Sequence, residues 1–138
     1  MTPSLQQTRD QQRAKHAMQA VEEAKKSLKP EEAKKFGGQA RKLPTRIVAS
    51  GLGQALAFLK AKGYAPDLLV ALADWVINKP AAGFNRPGPK PKDDELLKAV
   101  ILGTSDYLRQ VTDEALAYLQ WLNRFCEAND LSSETEAN

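Results

Sequence analysis

The residue types that usually perform catalysis are scarce in this chain, which has one histidine, His16, and one cysteine, Cys126. His16 lies among Arg13 and Lys15, beside apolar residues at helical spacing. A lone imidazole in that setting reads as a structural or solvated side chain rather than a base. Cys126 falls on the inner face of an amphipathic segment and reads as a small core residue. Metal ligation asks for a His and Cys cluster that the sequence lacks. Asp93, Asp94 and Glu95 are adjacent, so they do not share one helix face, and a charged helix start explains them. Gly51-Leu52-Gly53 has no strand before it, and no G-K-[ST] motif is present, so neither phosphate-loop pattern is met. No catalytic, cofactor or metal residue is assigned.

Binding of a polyanion has more support. Residues 1–64 carry 13 Lys and Arg against 5 Asp and Glu, whereas residues 65–138 carry 7 against 12. The basic half includes Lys15, Lys25, Lys26, Lys34, Lys35, Arg41, Lys42, Arg46, Lys60 and Lys62. A molecule with one basic flank can meet a polyanion with that side, or stack head to tail on copies of itself. The alternative is that the charges scatter over the surface and carry no message. Near the cations, the aromatic candidates are Tyr64 and Phe84. That scarcity favours contact with a phosphate backbone over base stacking.

The elements that must place these side chains are helical. Thr8 and Gln11 form a capping-box pattern before a helix over about 9–28. Pro30, Glu31 and Glu32 suit the start of a second helix, but Gly37-Gly38 interrupts it, which predicts a short helix kinked near Phe36–Gly38. A helical turn through Gln39–Leu43 then leads to Pro44. Pro44 opens the third helix, which ends before Gly63, with Ile47, Val48, Leu52, Ala55, Leu56 and Leu59 inward. On its other side Arg46, Ser50, Gly53, Ala57 and Lys60 or Lys62 fall close to one line. Such a small-residue stripe fits tight packing of two helices in one domain, or close approach by another backbone.

Pro66-Asp67 starts a fourth helix to about Asn78, with Leu68, Leu69, Leu72, Trp75 and Val76 inward. Residues 78–92 hold four prolines, two glycines and four cations and no acid. They read as a basic, proline-rich loop, either disordered or a binding element. A fifth helix begins at Asp93–Glu95, with Leu96, Leu97, Val100 and Ile101 inward, and ends at Gly103. Thr104 or Ser105 caps a long sixth helix to about Asn129, with Leu108, Val111, Ala115, Tyr118, Leu119, Leu122, Phe125 and Cys126 on its apolar face. Residues 1–7 and 131–138 read as flexible ends. No segment alternates with period two, so the expected fold is all-α: a single domain, residues 1–138, built as a compact bundle of about six helices.

Composition agrees. Hydrophobic content of 42% and charged content of 27% are ordinary for a globular domain. One cysteine precludes an internal disulfide and fits a reducing interior. No apolar run approaches the ~20 residues of a membrane span, and the N-terminus lacks a secretory h-region, so the expected location is the cytoplasm without membrane contact.

Several blocks now bear on kinship. RDQQRA at Arg9–Ala14, ARKLP with Ile47, GLGQALAFLKAKG at Gly51–Gly63, Trp75, and Tyr107 followed by EALAYLQWLNRF at Glu114–Phe125 occur in that order. Together they resemble the small subunit of the type III-B CRISPR effector, the Cmr complex. The resemblance covers most of Arg9–Phe125. It implies a helical, non-catalytic subunit in an RNA-guided antiviral complex, stacked in a few copies against itself, the repeated backbone subunit and the large subunit. It also implies contact with the guide or target RNA. No family residue contacts transfer; charge and position single out Arg13, Lys15, Arg41, Lys42, Arg46 and Lys60 as candidate RNA-binding residues. Gly53, Tyr118, Trp121 and Phe125 are candidates for a protein interface, with burial in the core as the competing reading for Trp121 and Phe125. A purely structural assembly module without RNA contact is the alternative function. A small helical hydrolase is a third, and it lacks a paired acid and base.

Overall fold

The computed structural model describes residues 7–78 and 89–131. Residues 79–88 of the loop expected over 78–92, and residues 1–6 and 132–138 of the expected flexible ends, lie outside the described residues. Six α-helices account for most of the described chain: α1 (Arg9–Ser27), α2 (Pro30–Ser50), α3 (Leu52–Lys62), α4 (Pro66–Ala73), α5 (Glu95–Leu102) and α6 (Ser105–Ala128). The described residues contain no strand. A π-helical segment, Asp74–Asn78, continues α4.

The helix starts obey local chemistry. Thr8 and Gln11 close a reciprocal cap on α1, with Gln11 N donating to Thr8 Oγ1 at 3.0 Å and Thr8 N to Gln11 Oε1 at 2.8 Å. Pro30 occupies the first turn of α2, and Glu32 accepts from Lys29 N at 3.1 Å. Thr104 Oγ1 accepts from Tyr107 N at the start of α6. At α5 the expected cap works differently. Asp94 holds the cap position but its side chain accepts no backbone N–H, and the Glu95 carboxylate takes the N–H of Lys92 at 2.7 Å instead.

The largest departure from expectation is α2. It runs unbroken through Gly37-Gly38 and through Pro44, and the chain turns at Gly51 instead. Proline inside a helix removes one hydrogen bond, and each interior glycine costs up to about 1 kcal/mol relative to alanine. Burial offsets this: Phe36, Gly37, Gly38, Ala40, Leu43 and Ile47 are all buried along one helix. Gly37 is also where the backbone of Leu131 meets α2. A Cβ there would lie 2.2 Å from the carbonyl oxygen of Leu131. Leu131, expected in the frayed end, is therefore 5% exposed and packed. Gly51 has φ 90° and ψ 156°, a conformation open essentially to glycine alone, and it sets the true boundary between α2 and α3. Gly63, at φ 69°, ends α3 in a left-handed cap, with Tyr64 N returning to Leu59 O at 3.1 Å.

The core gathers Trp75, Tyr118, Phe36, the leucines of α2, α3 and α4, and Leu119 and Leu122 of α6 at 3% exposure or less. The longest seam is α1 against α6, while α2 packs on both α3 and α6. Three residues expected inward point out: Val48 at 77% exposure, Ile101 at 66% and Leu108 at 36%. All three stand near helix ends.

Candidate nucleic-acid interface

The cations of the basic half have two fates. On α1, Arg13 faces α6, and its Nε lies 2.6 Å from Glu114 Oε2. Its Nη2 donates to Glu114 Oε1 at 2.9 Å and its Nη1 to Asp10 at 2.6 Å. Arg9 reaches the same Glu114 carboxylate at 3.3 Å. The indole N–H of the buried Trp75 donates to Glu114 Oε2 at 2.7 Å. Desolvation pushes the Glu114 carboxyl up, but the hydrogen bonds from Arg13, Trp75 and Arg9 and the charge of Arg13 together outweigh it and the group titrates below its ordinary range. Glu114 in turn raises the Arg13 guanidinium. Three of the blocks that carried the resemblance, Arg9–Ala14, Trp75 and Glu114–Phe125, thus meet at one carboxylate.

Beside this seam His16 is fully engaged. Its Nδ1 lies 2.7 Å from the Tyr118 hydroxyl and its Nε2 2.8 Å from Asp74 Oδ2. With Asp74 ionised, the tautomer protonated on Nε2 satisfies every group: Tyr118 donates to Nδ1 and the ring donates to Asp74. Burial, aided by Asp74, holds the Tyr118 hydroxyl well above its ordinary pKa, so it stays a donor. Neither ring nitrogen is left to act on a substrate. Burial likewise pushes the Cys126 thiol up to about 12, which makes it a poor nucleophile. No group of three or more His, Cys, Asp or Glu with metal-holding geometry occurs among the described residues.

The second fate is found between α2 and α3. Lys35, Gln39, Lys42 and Arg46 are spaced at four, three and four residues, so an unbroken α2 presents them as one stripe. On α3, Phe58 and Lys62 form an i, i+4 pair facing it. Lys35, Gln39, Lys42, Arg46, Phe58 and Tyr64 border a concavity of about 390 Å³, and Lys62, outside that lining, reaches over the Phe58 ring. Three of the cations here rest on rings: Arg46 Cζ stands 4.4 Å from the Phe58 centroid, Lys62 Nζ 5.8 Å from it, and Lys35 Nζ 4.6 Å from the Tyr64 centroid. Phe58 and Tyr64 meet edge to face at 6.2 Å. Gln39, 8% exposed, accepts from Arg46 Nη1 at 3.1 Å. No carboxylate lies within ion-pair distance of Lys35, Lys42, Arg46 or Lys62 among the described residues.

The sequence candidates therefore separate. Lys42 and Arg46 line the concavity, and Arg41 is exposed on the same helix outside it. Arg13 is 12% exposed and spent on Glu114 and Asp10. Lys60 pairs with Asp93 at 3.0 Å, which raises its pKa. Lys15 borders a different groove, with Met18, Trp121 and Phe125. Trp121 and Phe125 stack with their centroids 6.0 Å apart, and Trp121 is half-buried, with its Nε1 donating to Asp10 at 3.0 Å. Tyr118 has no exposed surface to offer a partner, because it fills the core under His16 and stacks on Trp75 at 6.0 Å. Gly53 is half-buried, and a Cβ there would sit 3.7 Å from Val100, an ordinary contact. The line from Arg46 through Gly53 to Lys60 is not a single helical stripe, because Gly51 divides it. Phe58 and Gln39 were missed. The i, i+4 spacing of Phe58 and Lys62 was the available signal for the first; Gln39 joins the stripe only once α2 is continuous.

No helix among the described residues is long and apolar enough to cross a membrane. The family model described as CRISPR-associated protein (Cas_Cmr5) matches residues 9–129. The fold is similar to the X-ray crystal structure of a CRISPR-associated Cmr5 family protein from Thermus thermophilus, with TM-score 0.68 and 28% identity over 88% of this chain and 97% of that one. No curated protein sequence matches.

Proposed function

Because the chain belongs to the Cmr5 family of CRISPR-associated proteins, and so to the small subunits of the type III-B Cmr complex, we propose that it is a non-catalytic subunit that meets the guide or target RNA backbone through the α2–α3 face. The observation that carries this reading is the set of four cations, Lys35, Lys42, Arg46 and Lys62, with no carboxylate among the described residues to neutralise them. Phosphates neutralised by such groups release counterions, so affinity falls steeply with salt. The engaged state of His16 and the inert thiol of Cys126 support the absence of chemistry. Its partners in this reading are the other Cmr subunits, copies of itself and the RNA.

The test is titration of purified protein with RNA across a salt series. Four engaged cations predict a slope of log affinity against log salt of about −3 for a single strand. Lys42→Glu with Arg46→Glu abolishes binding and weakens target capture by the assembled complex. Intact capture with that double variant, together with no binding by the free protein at low salt, removes the RNA role.

One observation favours the assembly-only reading. Trp121 and Phe125 form a stacked aromatic pair beside Met18 in a surface groove, the kind of anchor that protein interfaces use. In that case Trp121→Ala with Phe125→Ala loses incorporation into the complex, while the charge reversals on α2 change nothing.

A further inference from the structure

A phosphate alone would leave much of the α2–α3 concavity unused. Phe58 is 37% exposed on an otherwise polar rim, and its ring already carries the Arg46 guanidinium. Gln39 fixes that guanidinium from the helix side. A guanidinium held on a ring presents a planar cation to the concavity, and nucleobases stack on such planes as they do on aromatic rings. The volume, about 390 Å³, lies in the range of pockets that hold one small ligand. A paired base inside a duplex cannot enter a notch of that size between two helices, whereas an unpaired base can.

We propose that this concavity takes one unpaired nucleotide of a single-stranded RNA, with its base on the Phe58–Arg46 stack and its flanking phosphates on Lys35, Lys42 and Lys62. The proposal rests on the RNA-contact reading and adds to it a preference for single strands and a dependence on the base. Recognition is by stacking and charge, so the site is indifferent to base identity.

The experiment compares three fluorescent probes with the full-length chain at low salt: a single-stranded RNA, the same sequence as a duplex, and a single strand of abasic sites. The single strand binds tightest. Phe58→Ala weakens it by about 5- to 100-fold, the range of one lost base stack, and leaves the salt slope and abasic binding unchanged. Phe58→Trp restores the affinity. Phe58 is partly exposed, and the melting temperature of each variant is measured to confirm that the fold persists. Equal binding of all three probes, or an equal loss on all three with Phe58→Ala, overturns the proposal. Binding that is salt-sensitive but base-independent overturns only this inference and leaves the backbone-contact reading standing. Loss of every probe's binding in the wild-type chain removes both.

Discussion

Arg13 and Arg46 are the same residue type in the same basic half, and the structure uses them in opposite ways. Arg13 meets two carboxylates, those of Asp10 and of Glu114, the second also bound by the Trp75 indole across the α1–α6 seam. Arg46 meets a ring and a neutral amide, and no acid among the described residues. The first arrangement spends the charge on the fold. The second holds the charge in place without neutralising it, since an aromatic face orients a cation while leaving its net charge intact. A basic patch is thus defined less by where the cations are than by where the carboxylates are not.

The widest gap between the two regions is expected in stability. Glu114→Ala leaves Arg13 partly buried without its main partner and removes the carboxylate to which the Trp75 indole donates. We expect a loss of roughly 3 kcal/mol, read as a fall of about 10 °C in melting temperature. A shift under about 2 °C would show that the seam is decorative.

Acid probes the same seam. The Glu114 carboxyl is held below its ordinary value of 4.5. Its stabilisation is therefore complete above that ordinary value and is lost as pH falls through the lowered folded value. Denaturant midpoints measured from about pH 5 downward should drop for the wild type, and more shallowly for Glu114→Gln. An equal slope in both would detach Glu114 from the acid response.

Gly37→Ala touches neither set of charges. Its Cβ would strike the Leu131 carbonyl, so the backbone at Leu131 must move. The cost is about 1–2 kcal/mol after the helix gain of the alanine, read as a lowered urea midpoint. An unchanged midpoint would show that the Leu131 backbone does not press on Gly37.

Arg46→Gln should cost less than about 1 kcal/mol, the size of an exposed cation–π contact, while RNA affinity falls. A stability loss as large as that of Glu114→Ala would erase the distinction between the two regions. Smallest of all is Gly53→Ala, within about 0.5 kcal/mol of wild type in melting experiments, because its Cβ meets Val100 at an ordinary distance. A large loss there would revive the close-approach reading of that glycine.

Much of the fold is legible without coordinates. The caps at Thr8, Pro30 and Thr104, the glycine stop at Gly63, and the apolar stripes of α1, α4 and most of α6 come from local rules, because each involves residues within one or two turns of each other. The α2 boundary does not. Local propensity favours a break at Gly37-Gly38 and at Pro44, and burial of Phe36, Leu43 and Ile47 overrides both. That override aligns Lys35, Gln39, Lys42 and Arg46, so the error in one helix boundary also concealed the candidate site.

By itself the sequence determined the helical class, the surplus of cations in the first half, and the resemblance that identified the family. Those depend on composition, periodicity and short-range order. Only the tertiary structure decided which cations are neutralised, because Glu114 lies 101 residues from Arg13 and Asp93 lies 33 from Lys60. Pairing across such separations is set by how helices pack, and Coulomb attraction between side chains acts only once packing has brought them within a few ångströms of each other.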